Sequence, residues 1–322
     1  MDIFYLTLRQ MLMMFTLIGA GFFLRKRKLI PESSGTTMAR LETLVFTPAL
    51  SLHNMLTKCT TQTFAKDWVL MLYGLLFVVG AILVSYPLSS LFVRKAGGSP
   101  EKQYQKNIYK YSMTFANWGF MGNFLILGVW GEDLFYKYSL FGLPMTIATY
   151  AWGLSILIPK QEGADAWTNF RKRVITPPLV AVVLGIVLGL VGATKYIPDF
   201  FISAFEKAGQ CQGPVAMVLA GFVIGGYNFK RLITNKKVYL ASVMRLVVIP
   251  SVMLLILLGL NASKEVMILV LVAYATPLGL NTIVFPEAYG GDARTGASMA
   301  MISSILSVIT IPIMYLVFIV LI

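Results

Sequence analysis

The stretch FANWGFMGNF, Phe115 to Phe124, puts two asparagines and two glycines inside an apolar segment that runs on to Trp130. An asparagine amide in hydrocarbon is costly unless it finds hydrogen-bond partners. The surrounding chain has 322 residues and is 57% hydrophobic, too apolar for an ordinary soluble domain. Several of its apolar runs reach the ~20 residues needed to cross a bilayer. The stretch therefore reads as the middle of a membrane helix, where its polar residues need a purpose.

Working outward, the apolar runs predict spans at 4–24, 34–57, 67–92, 107–130, 133–158, 175–193, 200–226, 238–260, 264–288 and 295–321. The expected fold class is an all-α integral membrane protein with ten transmembrane helices. The first run lacks a small-residue cleavage site and is followed by Arg25-Lys26-Arg27-Lys28, so it reads as a span and not a removable leader.

The charge pattern agrees. Of 27 Lys and Arg residues, 18 fall on one set of alternating loops and 6 on the other. Arg9, Arg40 and Arg245 lie within spans. This asymmetry predicts a multi-pass protein of the plasma (inner) membrane with both termini extracytoplasmic. The basic residues are spread over five loops, which removes nucleic acid as an expected partner. Cys59 and Cys211 make neither a disulfide framework nor a metal motif, and no cofactor is expected. There is no HExxH, no paired aspartate motif and one histidine, so no enzyme is expected.

Four landmarks recur between the halves 1–160 and 161–322. Pro48 and Pro214 are 166 residues apart, Pro87 and Pro250 163, Asn117 and Asn281 164, and Pro144 and Pro312 168. Each half holds an odd number of spans, so the halves insert with opposite topology. Two inverted five-helix repeats are a recurring plan of secondary transporters, with the substrate held near the midplane by discontinuous helices.

The partner of the opening stretch is ATPLGLNTIVFPEAYGGD, Ala275 to Asp292. Pro277 lacks an amide hydrogen and crowds the preceding turn, and Gly279 weakens helix further. If spans 4 and 9 both unwind, each exposes a half-helix N-terminus at mid-membrane, with free N–H groups and partial positive charge. That end seats a carboxylate. Asn117 and Asn281 would add donors, and Gly119 and Gly122 lie at the same level. The bland alternative is that Asn117 and Gly119 only support close helix packing. The matching helix in the second half favours the binding site.

With these residues in view, the chain resembles the auxin efflux carrier family, the PIN-like carriers and bacterial malate and carboxylate transporters. The resemblance spans the whole chain: TPALSLH at 47–53, FANWGFMG at 115–122, RLVVIP at 245–250, ATPLGLNTIVFPEAYG at 275–290 and SVITIP at 307–312. It implies crossed, broken helices 4 and 9 and an elevator motion. A scaffold of spans 1, 2, 6 and 7 would carry a transport domain of spans 3–5 and 8–10, in a homodimer joined through the scaffold. Asn117 then matches the crossover asparagine that contacts a carboxylate, Ser51 a scaffold serine facing the site, and Pro277 the crossover proline. The plant pattern has proline before the span-4 asparagine, where this chain has Ala116. The polar pair Asn281-Thr282 and the short loop at 159–174 resemble the bacterial branch, which ranks malate and related mono- or dicarboxylates ahead of auxin-like acids.

Other polar residues in the spans carry weaker signals. His53 either carries a coupling proton or, the favoured reading, orders span 2 through a hydrogen bond. Arg245 either snorkels to the interface or draws anions to a cavity. Glu287 pairs with Arg245 or a loop lysine. Arg40 and Glu42 are expected in solvent at the span-2 entrance, and Trp118 and Tyr150 in packing. The function expected is a secondary transporter of small organic anions, driven by the substrate gradient, the membrane potential, or a coupled proton or sodium ion. The alternative is a ligand sensor on a transporter fold, without turnover.

Overall fold

Proline and glycine punctuate the long apolar runs. The computed structural model describes residues 2–93, 99–157, 175–228, 232–283 and 294–320. Among them nearly all structure is helical, and the isolated β-bridge joins Ala116 to Leu278. Pro48 and Pro250 each follow a five-residue π turn, Glu42–Phe46 and Met244–Val248. A proline ring crowds the carbonyl four residues back and offers no N–H to it. The wider turn absorbs that conflict, so Ser34–Leu41 and Thr47–Lys58 continue as one path. Gly131, with φ 78° and ψ −169°, interrupts the 40-residue stretch Trp118–Leu157. The interruption falls between the ends expected for spans 4 and 5.

Six described stretches are long and apolar enough to cross a membrane: Phe4–Lys26, Thr61–Phe92, Trp118–Leu157, Asp199–Gly225, Lys236–Gly259 and Arg294–Phe318. The apolar helix Pro177–Leu190 is shorter. This is a multi-pass membrane protein. Leu72, Leu76, Leu83, Leu255, Ile309 and Ile313 remain exposed, as expected of side chains that face lipid.

Glycines set which helices touch. Gly21 and Gly221 bring Asp2–Lys26 and Gln212–Gly225 together: an added Cβ on either would strike the other helix's backbone, at Val218 or Ile18. Gly185 and Gly189 do the same for Pro177–Leu190 against Met55 and Cys59, and Gly209 packs on Leu50. Gly74 packs on the Phe141 backbone. Small residues at contacts let membrane helices approach closely, where dispersion rather than water exclusion drives packing. At one end, Lys58 pairs with Asp133 at 2.8 Å and Glu132 at 3.5 Å, and Lys137 with Glu265 at 2.6 Å. The Asp133 carboxylate holds the Lys58 ammonium above its ordinary pKa.

Helix Asp2–Lys26 closes with paired amide bonds, Lys28 N–H to the Arg25 carbonyl and Leu29 N–H to the Leu24 carbonyl. This termination usually carries glycine at its left-handed position. Here Lys28 occupies it with φ 56°, at a cost of roughly 1–2 kcal/mol relative to glycine. Glu42 corrects an expectation. It is wholly buried, not solvated, with the Thr47 hydroxyl and the Ala216 backbone as the polar groups nearest its carboxylate. Arg40 is exposed as expected.

Candidate functional site

Both expected breaks are present. Helix Pro100–Thr114 ends at Phe115, which is extended, and helical geometry resumes with the π turn Trp118–Gly122. Helix Lys264–Ala275 ends at Thr276, also extended, and resumes at Asn281. Thr276 is extended because the residue before a proline is driven from the helical region. Span 4 has no proline, and its break is matched instead by the partner chain segment. Asn117 N–H donates to the Pro277 carbonyl at 2.7 Å, within the antiparallel bridge of Ala116 and Leu278. Gly279 permits the approach, since a Cβ there would lie 3.1 Å from the Ala116 oxygen.

The breaks leave backbone groups to satisfy. Leu278 N–H donates to Ser303 Oγ at 3.0 Å. Arg245 Nη1 donates to the Met113 and Thr114 carbonyls, at 3.2 and 3.4 Å, on the last turn of Pro100–Thr114. That end carries partial negative charge, which the guanidinium offsets. Arg245 is wholly buried and stacks over Tyr274 at 5.2 Å, so it does not snorkel. The negative helix end at the crossing thus has a built-in cation. Among the described residues the N-terminal end at Trp118 has no capping side chain, since that of Asn117 makes no cap.

Asn117 is 8% exposed, and its amide makes no hydrogen bond among the described residues. Gly119 is open on its Cβ side, with none of the described residues within 4 Å, so close packing among them does not explain it. Gly122 is different. A Cβ there would collide with the Tyr138 hydroxyl, which donates to the Trp118 carbonyl at 3.0 Å. Trp118 packs as expected, its ring lying 2.7 Å from where a Gly142 Cβ would sit. Asn281 donates through Nδ2 to the Tyr111 hydroxyl at 2.9 Å. Thr282 turns its hydroxyl to the Gly279 carbonyl at 3.0 Å and is wholly buried.

Ser51 is buried on helix Thr47–Lys58, and no hydrogen bond links it to either asparagine. The Nδ1 of His53 is buried and has no hydrogen-bond partner among the described residues. Glu287 and the loop at 159–174 lie outside the described residues.

The residues that support the crossing include several not singled out in the sequence: Tyr111, Ser303, Tyr138 and Gln212. Gln212 Nε2 reaches the Gly119 carbonyl at 3.4 Å, and Gln10 Nε2 the Phe124 carbonyl at 3.0 Å. The two glutamines carried a readable signal, because an amide in an apolar run needs a partner. Tyr111 and Ser303 carried none, since both residue types are common in packed membrane helices.

Two interrupted helices meet at their breaks, and the match of the whole chain says which family this is. It belongs to the membrane transport protein family, which it matches over residues 6–315. This is the PIN-like family expected from the motifs. Relatives include the uncharacterized transporter YfdV of Escherichia coli K12, 21% identical over 299 residues and covering 91% of each chain. Proteins of the same name in Escherichia coli O157:H7 and Shigella flexneri match to the same extent. A member of this family spanning the membrane several times is a transporter.

Proposed function

We propose that this transporter is a secondary carrier of small organic anions, malate or related mono- and dicarboxylates, bound at the crossing of the two broken helices. The observation that carries the reading is the Ala116–Leu278 bridge, which brings the start of Trp118–Gly122 beside the start of the helix at Asn281. Two half-helix N-termini there offer N–H donors and partial positive charge. Arg245 occupies the opposing negative end, which keeps the local field positive. The uncommitted Asn117 amide and the open side of Gly119 leave donors and room for a carboxylate. Asn281 contributes from the other helix, while Pro277, Gly279 and Thr282 shape its break. A neutral donor set holds the anion without an ion pair that release would have to break.

The proposal includes an inverted repeat and an elevator. Close glycine contacts tie spans 1, 2, 6 and 7 to one another and span 3 to span 5, while Gly128 against Gln10 and Gly213 against Phe124 seat span 4 on the first group. In this reading the first group is a scaffold that pairs with a second copy of the chain. The rest moves with the substrate, Ser51 faces the path, and both termini are extracytoplasmic. A coupled proton or sodium ion, the membrane potential or the substrate gradient drives the cycle.

Uptake into liposomes of labelled malate, malonate, succinate, lactate and indole-3-acetate, with pH and sodium set on each side, tests the proposal. Saturable uptake of a carboxylate that Asn117→Ala weakens is the expected result. Binding without uptake would leave a sensor, and conductance far above carrier turnover would leave a channel.

A further inference from the structure

The run Arg25-Lys26-Arg27-Lys28 does more than mark one side of the membrane. It borders a recess of about 530 Å³ lined by Arg25, Lys26, Lys28, Leu29, Glu32 and Gly226. A second recess of about 300 Å³ adjoins it, sharing Arg25, Glu32 and Gly226 and running on between Ala39 and Leu219. Three cations and one carboxylate face the larger space.

The arrangement is built, not a loose basic surface. Lys28 holds the left-handed position that glycine fills more easily, which keeps an ammonium at the rim. Gly225 and Gly226 make room for Arg25: a Cβ at either would come 3.0–3.1 Å from its side chain. The Arg25 guanidinium stacks over Phe222 at 5.2 Å, and its Nη2 lies 3.0 Å from Glu32. Its Nη1 is buried without an acceptor among the described residues. The flank is apolar, with Leu29 more than half exposed and Ile30 and Pro31 beside it on the wall of the recess. Charge and hydrocarbon side by side fit an amphiphile better than a soluble ion.

We propose that this recess binds the phosphate group of an anionic phospholipid. The Arg25 guanidinium, Lys26 and Lys28 contact its oxygens, and Leu29 and Ile30 meet its acyl chain. Arginine and lysine form charge-assisted hydrogen bonds to phosphate, and basic recesses between membrane helices select such headgroups. The site is separate from the helix crossing and does not depend on the transport reading.

The test uses the full chain in micelles supplemented with phosphatidylglycerol, with phosphatidylcholine of the same acyl chains, or with inorganic phosphate alone. Thermal midpoints and lipid retained in native mass spectrometry are read. Phosphatidylglycerol should raise the midpoint above phosphatidylcholine and stay bound. Lys26→Gln and Lys28→Gly should each weaken retention roughly fivefold, and together remove the increment. Lys28→Gly relieves the left-handed backbone, so its midpoint in phosphatidylcholine should hold or rise, which separates lost binding from misfolding. An equal increment in wild type and double variant, or no increment at all, would overturn the site. Full stabilisation by inorganic phosphate alone would overturn the lipid as its occupant.

Discussion

The backbone N–H of Asn117 donates to the carbonyl oxygen of Pro277 across 2.7 Å, joining two helices at the points where both are broken. Each break supplies what the other lacks. Pro277 has a carbonyl that its own helix cannot use, and Asn117 has an N–H freed by the end of Pro100–Thr114. In hydrocarbon neither group would have water to turn to. The crossing is therefore stable as a pair, and its two N-terminal ends are held at one level.

The Asn117 side chain is left uncommitted by this bond, so its loss should be felt by a ligand more than by the fold. Asn117→Ala should weaken carboxylate binding by about 1.5–3 kcal/mol, roughly ten- to a hundredfold. Asn117→Asp keeps the shape but brings a carboxyl to the bound anion. Transport by that variant should fall sharply at neutral pH and recover in part under acid. Equal binding by wild type and folded Asn117→Asp at neutral pH would falsify the anion site.

The two glycines of the stretch should part company. Gly119→Ala has room for its methyl and should leave the unfolding midpoint unchanged while crowding the anion, raising the apparent KM several-fold. Gly122→Ala meets the Tyr138 hydroxyl and should destabilise by about 1–3 kcal/mol as overpacking does. The comparison is made by thermal unfolding of each variant beside its uptake. A fall in midpoint for Gly119→Ala equal to that of Gly122→Ala would show that both glycines serve packing.

Tyr111 orients Asn281 through the bond between Nδ2 and the hydroxyl. Tyr111→Phe removes one neutral hydrogen bond, worth about 0.5–1.5 kcal/mol. If that bond serves binding by aiming the amide, Tyr111→Phe and Asn281→Ala should be non-additive in substrate affinity. Additive losses in a double-mutant cycle would separate the two residues.

Arg245 should behave as a structural cation. Arg245→Ala leaves the Met113 and Thr114 carbonyls without their donor and opens a cavity, at a cost of about 3 kcal/mol or more. Arg245→Lys keeps the charge but not the reach of the fork and should lose less. An unchanged midpoint for Arg245→Ala with lowered anion affinity would move this residue from support of the helix end to the binding site itself.

The proposed topology places Thr60 and Asn235 on opposite sides of the membrane. In a Cys211→Ser background, an impermeant thiol reagent added to intact cells should label Thr60→Cys and not Asn235→Cys. The opposite pattern would reverse the inside-out assignment drawn from the basic loops.

Apolar length and the uneven split of lysine and arginine are local quantities, so a multi-pass membrane protein is legible in the residues alone. So is the break at Thr276, since a residue before proline leaves the helical region whatever surrounds it. The break at Phe115–Asn117 was marked only by polar residues, for Ala116 imposes no backbone constraint. There the tertiary structure decided. The Pro277 carbonyl, 160 residues distant in sequence, accepts the freed N–H, and the absence of a side chain on Gly279 lets the two backbones meet. Arg245 and Glu42 show the same limit. Their residue types suggest charge or hydrogen bonding, but burial and the choice of partner depend on helices far away in sequence. Only the packed chain turned Arg245 toward a helix end and closed Glu42 off from solvent.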